Sequence, residues 1–326
     1  DYPRIQFVVA LAVLLALYII FRRSLATKGW ALLALATVAI GYNVYRVHPY
    51  ATVLDEQAIA VAECPADSRV RVLVANVQKG NRQAQALIDL VRNVDPDLFL
   101  AMETDEWWDA QLRVLADELP HRIQHIPQER EHYGIHLFSR LELIEPEIEF
   151  VFGQDTPAVF STVRLRDGAT VAFQGLHPEP PLFWSQPTTM RDARLVSAAL
   201  RAREAGDPVI MAGDFNAVPW ERITRRSMRI GELLDPRVGR GLYPTYDAKS
   251  LLISWPLDQI LYQKEFALAS FQRLEPFGSD HYPVLAELCH MPAAAERQSP
   301  PPLADGDLEE AQASLEAARA AATDEN

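Results

Sequence analysis

Hydrophobic positions along this chain change their pattern twice. Residues 5–21 form an apolar run broken only by Gln6, and a second, weaker run covers 30–47 through Gly41, Asn43 and Arg46. From residue 70 the apolar stretches shorten. Val70, Val72 and Val74 alternate with Arg71 and Leu73, the period of two that marks a strand, which delivers Asn76 at its end. Residues 98–102 and 209–212 are continuous apolar runs bounded by turn residues, as strands buried on both faces read. Further strands are predicted over 133–140, 158–165 and 170–176, in a segment ending near 261, and from 280 to 288. Helices are predicted between them. Asn81 would cap one whose Ala84, Leu87, Ile88 and Val91 share a face. A second covers about 104–118, and Thr189 with Asp192 opens a third that stops at Gly206. Beyond 291 the pattern dissolves into Pro, Ala and acidic residues, which predicts a disordered tail with at most a fragile helix over 308–321.

The two long runs predict a membrane anchor of residues 1–50, with spans at about 5–21 and 30–47. The first is just long enough to cross a bilayer core, and Tyr42, Tyr45 and Tyr50 suit the interface at the far end of the second. A signal peptide or a buried hairpin is the alternative, but a cleavable signal needs neither a second span nor an internal basic loop. Arg22, Arg23 and Lys28 in that loop belong on the cytoplasmic side, which puts everything after residue 50 on the other side. The chain opens on Asp1-Tyr-Pro-Arg rather than Met, which allows for an upstream segment, even a further span; the loop charges would still set the orientation. Residues 51–68 read as a linker, 69–290 as the domain proper, and 291–326 as the acidic tail.

Charge narrows the partners. The net charge is −13, with five Lys/Arg against three Asp/Glu in residues 1–60, 24 against 33 in 61–290, and two against eight in 291–326. An acidic domain lacks the electrostatic footprint of a protein that grips nucleic acid without sequence preference. A nucleic-acid partner is therefore not favoured, and no obligate protein partner is implied.

The candidate chemistry sits at strand ends. Asp214 and Asn216 follow the apolar run at 209–212; alone they would be read as an Asx turn closing a strand. Yet Asn76, Glu103, His177, Asp258 and Asp280 with His281 stand at comparable positions. Residues gathered at strand ends converge on one rim, where a site can be built. A Glu where an apolar strand stops is costly to bury unless paired or bound to metal. Carboxylate oxygens with few thiolates or histidines favour Mg²⁺ or Mn²⁺ over zinc. Two histidines backed by carboxylates can stabilise a pentacoordinate phosphoryl centre.

These residues, in this order, resemble the endonuclease/exonuclease/phosphatase superfamily, the fold of DNase I. The match runs through Asn76, Glu103, 134–140, His177, Gly213-Asp-Phe-Asn216, Asp258 and Ser279-Asp-His281, over roughly 70–288. The anchor, His177-Pro-Glu-Pro-Pro181 and the stretch 235–245 further resemble the membrane-anchored bacterial branch that includes teicoplanin-resistance-type proteins. The resemblance implies an α/β, four-layer sandwich of two mixed β-sheets flanked by helices. It also implies a catalytic domain facing outward from a bacterial inner membrane. Glu103 would be the principal metal ligand, with Asn76 and Asp280 near the metal or its waters. Asp214 would deprotonate the attacking water, and Asn216 would hold a phosphoryl oxygen. His281, oriented by Asp258, and His177 would flank the phosphoryl group. Gln78 stands where many nucleases of the family have Asp, and Gln259 where the outward-facing branch often has His. Arg240 is a candidate phosphate clamp, with a solvated loop arginine as the alternative; the same choice covers Arg140. Trp107, Trp108 and Trp184 suit a lipid or a base, although aromatic core is the favoured reading.

The implied reaction is metal-assisted displacement at phosphorus by a membrane-bound phosphatase or phosphodiesterase. A lipid-linked or envelope phosphate is the leading substrate class, an extracytoplasmic nuclease the alternative. In this fold the strands next to Cys64 and Cys289, the chain's only cysteines, are expected to be antiparallel neighbours, so a disulfide is expected. The competing reading is two unrelated, partly buried thiols.

Overall fold

The computed structural model of the chain describes residues 2–21, 27–127, 133–153, 156–181, 187–250 and 252–324. Among them the short apolar runs become two six-stranded sheets. The first runs β11 (Phe266–Arg273), β12 (Val284–His290), β1 (Arg69–Asn76), β2 (Leu98–Met102), β4 (Ile135–Ser139) and β3 (His121–His125). The second runs β5 (Glu142–Phe150), β6 (Pro157–Arg164), β7 (Thr170–Leu176), β8 (Val209–Asp214), β10 (Asp258–Gln263) and β9 (Leu233–Leu234). Both are mixed: β1 and β2 are parallel, as are β7 and β8, while β12 and β10 run against them.

Each central strand divides its side chains between two cores. Val72 and Val74 of β1, Leu98 and Leu100 of β2, and Ile210 and Ala212 of β8 meet between the sheets. Leu73, Phe99 and Met211 point the other way. There they pack under α3 (Ala84–Val94) and α4 (Glu106–Leu112) on the first sheet, and α5 (Thr189–Glu204) and α6 (Arg222–Ile230) on the second. A fully buried Val, Leu or Ile contributes about 1.5–3 kcal/mol, so strands that are apolar on both faces require both layers. The result is the four-layer sandwich that the resemblance implies. Helix α3 starts three residues after the expected cap. Asn81 instead closes the turn before it, its Oδ1 accepting from Gln83 N–H at 3.1 Å and its amide donating to the Val77 carbonyl at 3.3 Å.

The tail departs from the expectation of disorder. Residues Asp307–Asp324 form helix α7, packed on the second sheet's helical layer. Ala311, Leu315 and Ala318 recur at i, i+4 and i+7 and lie buried with Ala198, Ala199 and Ala202 of α5. Arg222, Arg226 and Arg229 line one face of α6 with the same spacing. Arg229 binds Asp307 through two hydrogen bonds of 2.6 Å, and Arg222 and Arg226 pair with Glu310. The acidic residues that suggest solvation are ligands of an arginine face. The linker is strapped down as well. Gln57 accepts from Asp235 N–H, and Ile59 N–H donates to Gln298. Cys64 and Cys289 form a disulfide with Cα atoms 5.6 Å apart, beside the β1–β12 ladder that pairs Arg69 with Cys289.

Before the domain stand α1 (Arg4–Phe21) and α2 (Thr27–Val47). Both are long and apolar enough to cross a membrane, with mean hydropathies of 2.4 and 1.3 over windows that bury no residue. Arg4 of α1 donates to Asn43 Oδ1 of α2 at 2.9 Å, joining the helices at the end nearest the domain. Arg22 and Arg23, on which the orientation rests, lie outside the described residues, as does Trp184.

The Asp307 contacts make α7 docking acid-sensitive. Hydrogen bonds from Arg229, which outweigh burial, hold its carboxyl below its ordinary value of 3.8. Its contribution is therefore complete above pH 3.8 and is lost as pH falls through the lowered value. Asp307→Ala should remove on the order of 2 kcal/mol and expose the tail to limited proteolysis at neutral pH, as acid does to the native chain. Equal protease resistance of the variant would contradict this. Alkylation of the denatured, unreduced protein should label neither cysteine; two labelled thiols would refute the disulfide, which is worth roughly 5 kcal/mol for so long a loop.

Candidate active site

The strand directions bring one set of ends together. The C-terminal ends of β1, β2, β7 and β8 and the N-terminal ends of β10 and β12 lie on a single rim, because the first two pairs are parallel and the last two strands antiparallel to them. Asn76, Glu103, His177, Asp214, Asn216, Asp258, Asp280 and His281 all meet there. A cleft of about 350 Å³ opens over them, lined by Glu103, Asp214, Asn216, Asp280 and His281 and walled by Tyr2, Tyr246 and Trp255.

Asn76 sits at the centre of the rim. Its Nδ2 donates to Glu103 Oε1 at 2.8 Å and to Asp214 Oδ2 at 3.1 Å, while its Oδ1 accepts from Gln78 N–H at 3.0 Å. That last bond fixes which way the amide faces. Asn76 therefore presents nitrogen, not oxygen, to the two carboxylates and bridges them. Glu103 is held at φ 58° just past β2, and Asn216 at φ 47° just past β8. Such backbone conformations cost about 1–3 kcal/mol each and persist where surroundings enforce them. Within β8, Gly213 is required where the strand meets β7, since a Cβ there would lie 1.8 Å from the Leu176 carbonyl oxygen.

Asp214 is aimed by its neighbours. Its Oδ1 accepts from Asn216 N–H at 2.9 Å, and its Oδ2 lies 3.8 Å from His177 Nε2 and 3.7 Å from His281 Nε2. The two imidazoles thus flank one carboxylate oxygen. His281 Nδ1 donates to Asp258 Oδ2 at 2.7 Å; an acceptor-only carboxylate puts the proton on Nδ1 and turns Nε2 toward the cleft. Burial disfavours the charged imidazole, but Asp258 and Asp214 more than offset it, and His281 is pushed up to about 10. Burial also pushes the Asp280 carboxyl above its ordinary range, with Glu103 adding to the effect and His281 opposing it.

This donor set fits a hard divalent cation. Asp214, Asp258 and His281 come within 4.8 Å of one another, but the Asp258–His281 hydrogen bond occupies two of those groups. Glu103 and Asp280 also line the cleft, and oxygen ligands of this kind suit Mg²⁺ or Mn²⁺. Gln78, in place of the family's Asp, gives its amide to Asp280 Oδ2 at 3.0 Å and accepts from Lys249 at 3.0 Å. Gln259 faces away from the chemistry, between Arg237 and the Ala217 carbonyl.

One expected site residue lies elsewhere. Arg240 pairs with Glu56 at 2.5 Å and donates to the Ala58 carbonyl at 2.6 Å, so it fastens the linker and does not line the cleft. Arg140 pairs with Asp95 at the surface, and Trp108 is core. Three contributors were not singled out from sequence. Arg191, buried in α5, donates to the Asn216 carbonyl at 2.7 Å. Thr245 Oγ1 accepts from Asp258 N–H at 3.1 Å. Tyr2 donates its hydroxyl to the Asn216 carbonyl. A buried arginine carries no local signal, and only the stretch 235–245 hinted at Thr245.

Two mixed six-stranded sheets flanked by helices, with this rim between them, define the DNase I-like fold. The chain belongs to the Endonuclease/Exonuclease/phosphatase family, which it matches over residues 73–281. No curated protein sequence matches it. Solved structures share the fold. An endonuclease/exonuclease/phosphatase from Beutenbergia cavernae is 16% identical with a TM-score of 0.56, covering 69% of this chain and 72% of that one. TDP2 from D. rerio, complexed with single-strand DNA product, is 16% identical with a TM-score of 0.56, covering 68% and 99%. ANGEL2, a 2',3'-cyclic phosphatase, is 14% identical with a TM-score of 0.51, covering 69% and 97%. As a member of that family, the chain is a hydrolase of phosphate esters.

If Asp258 works only by orienting and charging His281, the two act as a unit. Asp258→Asn and His281→Ala should each lower turnover on an aryl phosphate ester strongly, and the double variant should be little worse than the worse single one. Clean additivity of the two losses would show that they work separately.

Proposed function

We propose that this protein is a membrane-anchored, Mg²⁺- or Mn²⁺-dependent phosphoesterase that hydrolyses a phosphate ester or pyrophosphate of a lipid-linked envelope substrate, with its domain outside the cytoplasm. The observation that carries the chemistry is the Asp214 carboxylate, held between two histidines and facing Glu103 and Asp280. Asp214, oriented by Asn216 N–H and Asn76, takes the proton from the attacking water. Asn216 spends one amide hydrogen on the Pro178 carbonyl at 2.9 Å and keeps the other for a phosphoryl oxygen. His281, kept charged by Asp258, and His177 on the opposite side meet the negative charge that develops on phosphorus. A divalent cation bound at Glu103 and Asp280 would polarise the phosphoryl group and offset its charge.

The lipid-linked assignment is supported by the two apolar helices and by the acid excess of the domain. A nuclease would use the same residues, so substrate preference decides. The purified full chain should hydrolyse lipid pyrophosphates or phospholipids in Mg²⁺ or Mn²⁺, and lose activity to chelator. Asp214→Asn or Glu103→Ala should lower turnover about 10²–10⁴-fold with the fold intact. A well-folded Asp214→Asn protein at near-native rates would sink the mechanism. Rapid, salt-sensitive degradation of plasmid DNA with no turnover of any lipid phosphate would transfer the assignment to the nuclease.

A further inference from the structure

The N-terminal helix is built into the cleft. Tyr2, two residues before α1, lines the cleft and bonds the Asn216 carbonyl. Its ring lies 5.6 Å from that of Trp255; Trp255 stacks on Tyr246 at 6.3 Å, and Tyr246 lies 4.9 Å from the His281 ring. An aromatic wall therefore runs from the start of the first apolar helix to the histidine at the reacting centre. A second connection runs through the loop between Tyr246 and Trp255. At one end, Ala248 N–H donates to the Asp280 carbonyl at 2.7 Å and Lys249 reaches Gln78. At the other, Gln6 in the first turn of α1 donates to the Leu252 carbonyl at 3.1 Å. Leu252 and Ile253 are nevertheless 83% and 52% exposed.

A residue bonded to the first turn of a membrane span lies where that span enters the bilayer. Two adjacent bare aliphatic side chains at that level match an interfacial contact, with Tyr and Trp beside them as such contacts favour. We infer that Leu252 and Ile253 form a lip that inserts into the leaflet beside α1, so that the cleft opens directly onto the membrane surface. Resting on the phosphoesterase reading above, this defines the substrate as an amphiphile taken from the bilayer. Its phosphate or pyrophosphate reaches Asp214 and His281, and its apolar part leaves along the wall of Tyr2 and Trp255. Lipid is favoured over a protein partner because the exposed pair is tied to the first turn of α1 through Gln6, and Phe7 and Leu14 of that helix are also exposed.

The test uses the full chain in phosphatidylcholine–phosphatidylglycerol vesicles, with a long-chain alkyl pyrophosphate in the bilayer and its short-chain, water-soluble counterpart. Leu252→Asp with Ile253→Asp should lower long-chain turnover at least tenfold, through KM, and leave the short-chain rate within twofold. Leu252→Trp should keep long-chain turnover and add fluorescence that bromine-labelled lipid quenches. Equal loss on both substrates, or added fluorescence that brominated lipid leaves unquenched, would overturn the lip. Self-association that the Asp pair abolishes, without quenching, would assign the surface to a second copy and overturn it too. Hydrolysis of neither substrate by the native chain would remove the lipid-linked substrate reading, and quenching would still decide the lip by itself.

Discussion

The amide of Asn76 spans the seam between the two sheets at the catalytic rim. It reaches Glu103 on the first sheet and Asp214 on the second. Without such a donor, two carboxylates from opposing layers would face each other across a partly dry gap, and their repulsion would splay the rim. One neutral side chain sets their separation without cancelling their charge. The charge is thereby kept available for a cation, while Asp258 and His281 form a separate, internally balanced pair. The sandwich core beneath supplies the rigidity that makes this separation repeatable.

A second layer of polar contacts holds the turn after β8. The carbonyl of Asn216 receives Arg191, and the carbonyl of Ala217 receives Gln259, itself held by Arg237 and Asp235. Both arginines are almost fully buried, and buried ion pairs are poor investments in stability alone. Here Arg191 holds a main-chain carbonyl directly and Arg237 does so through Gln259, which pins a left-handed residue without occupying the side chain that faces the cleft. The departures at Gln78 and Gln259 belong to the same pattern, since each supplies an amide that binds a neighbour.

Much of this arrangement was legible from the chain. Strands β1, β2 and β8 announce themselves because both faces are apolar, and the polar residues that end them stand out by contrast. The edge strands β3 and β5 were not predicted. They are half exposed, and β5 carries Pro146 and a bulge between Ile144 and Glu147, which breaks its period. Helix α7 was misjudged because composition averages over a face; Ala311, Leu315 and Ala318 make a stripe too narrow to outweigh the acids around it. Arg240 was misassigned for a related reason: sequence shows that an arginine is near a motif, not which carboxylate it reaches first. Tyr2 could be placed only by the tertiary fold.

The bond between Cys64 and Cys289 turns the domain into a covalent ring, with the helical hairpin and the tail as two arms leaving from neighbouring points. Every rim residue from Asn76 to His281 lies inside that ring. A single cut in any of its loops opens the ring without dividing it, so both pieces stay attached to α1 and α2. A domain closed in this way stays joined to both helices when a surface loop is nicked, and the two sheets have the chance to remain packed around the rim.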